Sequence, residues 1–307
     1  VFLILGPESV DGALEPVRGL ARELGLEAGE TAVREGVEDA SYRCARIWAR
    51  GVVVDETAAR ERVLAMAETL GCDVVLVSQT EMQRRRRLFV FDMDSTLIQG
   101  EVIDELAKMA GVADKVVAIT ASAMRGEIEF QESFRRRVAL LEGLAEERAR
   151  ELLGRIPMMP GAERLFRELK RRGAMTAVLS GGFTFFGAHL QERLGVDWVH
   201  ANELDVAGGL VTGAVRGAIV DGARKAALLE EIAAREGVAL EETVAVGDGA
   251  NDLPMLRLAG MGVAFHAKPV VRAAARYAMT HVGLDGLLEL ASPGGGRDES
   301  QDLWASM

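Results

Sequence analysis

Cysteine is scarce: the 307 residues hold two, Cys44 and Cys72. That is too few for a disulfide framework or a Cys-rich metal site, and reduced, buried thiols in a cytoplasmic protein are the expectation. Aromatic residues make up only 5% of the chain, so Leu, Val, Ala and Met must fill the interior that a 49% apolar content supplies. An excess of positive charge is lacking too. The formal net charge of -11 argues against a nucleic-acid surface, which needs a basic face, but not against a small anion held by local charge. No apolar run reaches the length of a membrane span, and none has signal-peptide flanks. The first residue is Val1 rather than Met, so further residues are expected to precede it.

What is present divides into two units. Residues 1–82 read as a small α+β unit. Val1–Leu5 is an apolar strand, and a turn at Asp11-Gly12 opens a helix with Leu14, Val17, Leu20, Ala21 and Leu24 on one face. Residues Ala40–Val54 read as strand, Glu56–Leu70 as helix and Cys72–Ser78 as a buried strand. The order strand, helix, two strands, helix, strand suits a ferredoxin-like sheet under two helices. Four arginines in a row, Arg84–Arg87, read as a solvated linker.

The second unit, residues 83–291, opens with the apolar run Leu88–Asp92. Residues 100–158 are helical and amphipathic, which predicts a separate cap. From Pro160 strands and helices alternate: Gly161–Arg172 helix, Met175–Leu179 strand, Phe183–Leu194 helix, Trp198–Ala201 strand. A β-hairpin flap is expected at 203–217 around Gly208-Gly209. Then follow Arg224–Glu236 helix, Thr243–Gly247 strand, Leu253–Ala259 helix and Gly262–Phe265 strand. This alternation predicts an α/β fold, a Rossmann-like parallel sheet with helices on both faces. Residues 292–307 are Gly-rich and polar, and read as a disordered tail.

Ligands of such sheets sit beyond the carboxyl ends of the strands. Three apolar runs end there in small or polar residues: Asp92-Met93-Asp94-Ser95-Thr96, Ser180-Gly181-Gly182 and Asp248-Gly249-Ala250-Asn251-Asp252. Asp92 and Asp94 leave the same face of an extended segment, and Asp248 adds a third carboxylate. Hard oxygen ligands without His or Cys suit Mg²⁺ rather than zinc. A divalent ion would let Asp92 approach an anionic phosphate ester and attack phosphorus in line. Asp94 could protonate the departing alkoxide and later deprotonate water. Lys225 offers a point charge, Ser180 a hydroxyl, and the Gly181-Gly182 backbone a close approach.

Residues 84–290 resemble phosphatases of the haloacid-dehalogenase superfamily, and within it the phosphoserine phosphatase family. The narrower likeness rests on FVFDMDSTLIQGEVIDELA, AMRGEIEFQESFRRRVALLEG, LSGGFTFF, NELDVAGGLVTG, and VGDGANDLPML with FHAKP after it. The resemblance implies Mg-dependent hydrolysis of O-phosphoserine through a phospho-aspartate on Asp92, the last step of serine biosynthesis. Asp94 would be the general acid and base. The metal would be held by Asp92, the main-chain carbonyl of Asp94, and Asp248. Ser180, Gly181 and Lys225 would hold the phosphate, with Asn251 beside it. Glu101 and Arg137 would read the amino and carboxylate groups of serine, and one of Arg135–Arg137 should face inward. Met124 and Phe130 would close the cap over the substrate.

Residues 1–82 resemble an ACT-like domain, which implies serine binding near Asp11-Gly12 or support of a homodimer. Two other readings stand beside these. One is a phosphotransferase of the same superfamily with another alcohol acceptor. The other is an amino-acid-binding regulatory protein whose catalytic domain is vestigial.

Overall fold

The computed structural model describes residues 1–34 and 40–291, so the expected tail at 292–307 lies outside the described residues. The first sheet holds β1 (Phe2–Gly6), β2 (Glu27–Arg34), β3 (Arg43–Arg50) and β4 (Asp73–Leu76) in the order β2-β3-β1-β4. All neighbours are antiparallel, which is the ferredoxin-like arrangement. Helices Asp11–Glu23 and Glu56–Leu70 cover one face: Phe2 and Ile4 pack with Val17, Leu20 and Val63. The alternate residues Leu3 and Leu5 turn the other way, into the core of the second unit with Tyr42, Met279, Val282 and Leu287. Both faces of β1 are therefore dry, which is why its sequence is apolar without alternation.

The strand expected at Ala40–Val54 is confined to Arg43–Arg50. Val52 and Val54 are 80% and 97% exposed, beyond the strand in the approach to the next helix. The Arg84–Arg87 run is not a solvated linker. The Arg86 side chain is fully buried, donating to the carboxylate of Glu81 at 2.5 Å and to the carbonyl of Glu241. Arg87 donates to the carbonyl of Gly237 at 2.9 Å. A guanidinium can be buried when its donors find fixed acceptors, so the run pins the two units together.

Three buried carboxylates reinforce that junction. Asp73 accepts from the backbone N–H groups of Thr280, His281 and Val282 at 2.6, 3.1 and 3.2 Å. Glu289 accepts from Arg34, Arg46 and the Tyr42 hydroxyl at 3.0, 3.0 and 3.1 Å. Asp285 accepts from the backbone N–H of Ser41 and from Arg164, both at 3.1 Å.

The second sheet contains β5 (Leu88–Phe91), β6 (Met175–Phe183), β7 (Trp198–Ala207), β8 (Leu210–Arg216), β9 (Thr243–Gly247), β10 (Met261–Phe265) and β11 (Tyr277–Met279). Their order is β11-β10-β9-β5-β6-β7-β8. Every pair is parallel except β7 with β8. β5 is central, with no exposed residue. Phe91 lies 5.0 Å, centroid to centroid, from Phe166; burying each such ring contributes roughly 2 kcal/mol and fixes the strand tip that carries Asp92.

Between β5 and helix Ala162–Arg171 the chain makes the helices Val102–Met109, Ala113–Met124, Phe130–Ala139 and Glu146–Arg150. β7 and β8 form a hairpin turned by Gly208 and Gly209, both at positive φ, where side chains are costly. The hairpin touches these helices through backbone: Gly143 N–H donates to the Val211 carbonyl and Val211 N–H to the Leu144 carbonyl, each at 2.9 Å. No helix among the described residues is long and apolar enough to cross a membrane.

Candidate active site

β5, β6 and β9 lie side by side, and the segments leaving their carboxyl ends form one site. Asp92 follows β5 directly, its backbone N–H held by the Val246 carbonyl at 2.9 Å. Lys225 is fully buried and its Nζ lies 2.7 Å from both Asp92 Oδ1 and Asp252 Oδ1. Carboxylate oxygens of Asp92, Asp248 and Asp252 all lie within 4.8 Å of one another. The sequence points to Asp92, Asp94 and Asp248 but not to Asp252. A short 3-10 turn, Ala250–Asp252, swings that residue back beneath Lys225 and onto the Gly249 N–H at 2.9 Å. A turn of three residues carries no periodic signal that could have marked it.

Asp94 is buried, and its Oδ1 accepts from the Val102 N–H at 2.9 Å, at the start of the first cap helix. The intervening Ser95 sits at φ +57°, an uncommon conformation for a non-glycine residue. Its hydroxyl donates to Glu101 at 3.2 Å. Thr96, also buried, donates to Asp248 at 3.4 Å. Ser180 is fully buried at the β6 end and its Oγ accepts from the Gly182 N–H at 2.8 Å. A side chain on Gly182 would meet Asp94 Oδ2 at 2.5 Å, so only glycine fits there. Gly181 gives its carbonyl to buried Asn202 at 2.8 Å. The Asn251 carbonyl backs onto Gly222, where an added Cβ would come within 2.6 Å of it.

Of the three cap arginines, Arg135 and Arg136 are exposed and Arg137 is turned in. Among the described residues its buried Nε has no hydrogen-bond partner. Phe130 stacks on Phe134 with centroids 6.3 Å apart, and its Cζ comes within 3.3 Å of where a Gly181 Cβ would stand. Met124 is not enclosed: it is 66% exposed, with Sδ 3.9 Å from Lys268 Nζ.

The electrostatics follow from burial. Asp92 is pushed well above the usual carboxylate range by burial and by Asp252, with Lys225 opposing. Burial and the nearby Glu101 do the same to Asp94. Burial, Asp252 and Glu101 raise Asp248 to about 7. Burial would lower Lys225, but Asp252 and Asp92 hold it above its ordinary value. Glu101 is raised chiefly by burial, and burial lowers Arg137 against the pull of Glu101. Crowded carboxylates with one internal cation among them are short of positive charge. Their oxygen-only donor set fits a hard divalent ion.

Residues 89–257 match the model of the haloacid dehalogenase-like hydrolase family. A phosphoserine phosphatase of Archaeoglobus fulgidus is 47% identical over 233 residues, 76% of this chain and 68% of that protein. For two further relatives the chain spans 56% and 54% of their length. A solved structure described as a probable phosphoserine phosphatase from Vibrio cholerae is 34% identical with TM-score 0.76, over 95% of this chain and 86% of that one. Another, described as a phospho-aspartyl intermediate analogue of phosphoserine phosphatase, is 42% identical with TM-score 0.64, over 68% of this chain and 100% of that one. Family model, sequence relatives and the three strand ends agree: the chain belongs to the haloacid dehalogenase-like hydrolases and, within them, to the phosphoserine phosphatase family.

Proposed function

We propose that the protein hydrolyses O-phosphoserine to serine and phosphate through a phospho-aspartate on Asp92. The observation that carries this reading is the pairing of Asp92 with fully buried Lys225 at 2.7 Å, with Asp94 two residues on and two more carboxylates alongside. The relative described as a phospho-aspartyl intermediate analogue supports it. Asp92 Oδ attacks phosphorus as the bond to the serine oxygen breaks, and Asp94 gives that oxygen its proton. Burial and Glu101 favour the protonated form of Asp94, whereas Lys225 in contact at 2.7 Å favours the ionised form of Asp92. Asp94 then takes a proton from water, which attacks phosphorus and frees Asp92 and phosphate. Lys225 and the Gly181-Gly182 backbone hold the phosphoryl oxygens, with Ser180 Oγ as a further contact and Asn251 beside them. A bound Mg²⁺, held by Asp92, the Asp94 carbonyl and Asp248, would neutralise phosphoryl charge.

Selectivity rests on Arg137 and Glu101, which suit the substrate's carboxylate and ammonium groups. Phe130 shields the reacting centre, and Met124 is proposed to add to that shield from the rim of the cap. The test is phosphate release from a panel of small phosphate esters with Mg²⁺. Phosphoserine should be hydrolysed with the highest kcat/KM, excess EDTA should stop release, and added Mg²⁺ should restore it. In the same panel Arg137→Ala should raise KM for phosphoserine at least about tenfold while barely moving p-nitrophenyl phosphate. Full activity in EDTA, or equal effects on both esters, would remove the metal or the carboxylate role respectively.

A second reading concerns the first unit. A pocket of about 350 Å³ at the turn after β1 is lined by Glu8, Ser9, Asp11, Arg34 and Arg43 among others. Two acids and two bases around a cavity of that size offer partners for both charges of a free amino acid, and we propose serine. Calorimetry on the full chain, with the active site filled by a slow phosphoserine analogue, should show a second binding event; no heat at millimolar serine would dismiss it.

A further inference from the structure

One hydrogen bond joins the cap to the catalytic core across the mouth of the site. Gln131 Nε2 donates to Asp221 Oδ2 at 2.7 Å, between residues 90 apart in sequence. Gln131 is the second residue of helix Phe130–Ala139, next to Phe130 and on the helix that carries Arg137. Asp221 is the N-cap of helix Gly222–Arg235: its Oδ1 accepts from the Arg224 N–H at 2.9 Å. Its carbonyl accepts from the N–H of Lys225, also at 2.9 Å. One carboxylate thus spends one oxygen on fixing the turn that bears Lys225 and the other on the cap. Among the described residues, the remaining polar ties between cap and core lie at the hinge segments, such as Gln99 with Met158 at 2.8 Å, or on the β7–β8 hairpin. The Lys268–Met124 contact is longer, at 3.9 Å. None of these couples cap position to the phosphate-holding lysine.

We infer that Gln131 and Asp221 form a latch that holds the cap closed over the bound phosphate ester and registers that closure on the helix start that places Lys225. Gln131 is a positioning residue: it acts through Asp221 and Phe130 and does not touch the reacting atoms. The latch must break for serine to leave, so it has to be a single bond of modest strength. A neutral amide on a partly exposed carboxylate meets that need, whereas a buried ion pair would hold too firmly. The inference rests on the phosphatase reading only in that the cap closes over an ester.

The test is a double-mutant cycle on the Mg²⁺-loaded full chain. Gln131→Glu sets a second carboxylate against Asp221. It should raise KM for phosphoserine at least about tenfold and speed amide hydrogen exchange of residues 130–139 by a similar factor. Adding Asp221→Asn supplies an amide donor for the new carboxylate and keeps a good N-cap, so both readouts should return to within about threefold of wild type. A merely structural role for either residue would give penalties that add. Additive penalties, or unchanged exchange in Gln131→Glu, would overturn the latch. Exchange is read without substrate, so a failed latch is distinguishable from a wrong substrate.

Discussion

Replacing Asp92 with Asn should lower phosphate release from phosphoserine by at least about 10⁴-fold and leave the protein folded. The loss is large because an amide oxygen cannot form the acyl phosphate that divides the reaction into two easier steps. The fold should persist for reasons visible in the contacts. Asn matches Asp in size, and its side-chain oxygen can still accept the Met93 N–H that Asp92 accepts at 2.7 Å. Lys225 keeps its second anion, Asp252, at 2.7 Å, so no buried charge is orphaned. Release assays with circular dichroism on the same sample separate chemistry from folding. Turnover within about tenfold of wild type would place the nucleophile elsewhere.

How much of this was legible in the sequence depended on burial. β5, β6 and β9 are dry on both faces, so they read as continuous apolar runs, and the residues ending each run marked the site. β2, by contrast, is a half-exposed edge strand with the sequence EAGETAVR. It has neither an apolar run nor clean alternation, so its position could not be set. β11 spans three residues, Tyr277–Met279, too few for any period. Arg86 was misread because charge composition says nothing about which member of a run finds buried acceptors. Asp252 was missed for a related reason: its role comes from a 3-10 turn that folds it onto Lys225, and three-residue turns leave no periodic trace. Arg137 could be anticipated only as one of three, since helical phase selects the inward residue once the helix is placed.

Lys225 makes the second large prediction, and it separates two roles held by one side chain. Lys225→Met should cut kcat/KM roughly 10³-fold and destabilise the protein by roughly 3–5 kcal/mol. The first effect removes the cation that faces the transferring phosphoryl group. The second arises because Asp92 and Asp252 are buried, and among the described residues Lys225 is the cation in contact with both. Lysine hydration cannot soften the loss, because its side chain is already wholly out of water. Adding Asp252→Asn to Lys225→Met removes one of the two stranded charges. It should therefore return a large part of the stability, read by urea denaturation, and none of the activity. Lys225→Arg should not rescue turnover, since a planar fork cannot take the place of a point charge wedged 2.7 Å from two carboxylates. If the double variant recovered activity along with stability, Lys225 would be a structural counter-ion alone, and the phosphoryl group would need another cation.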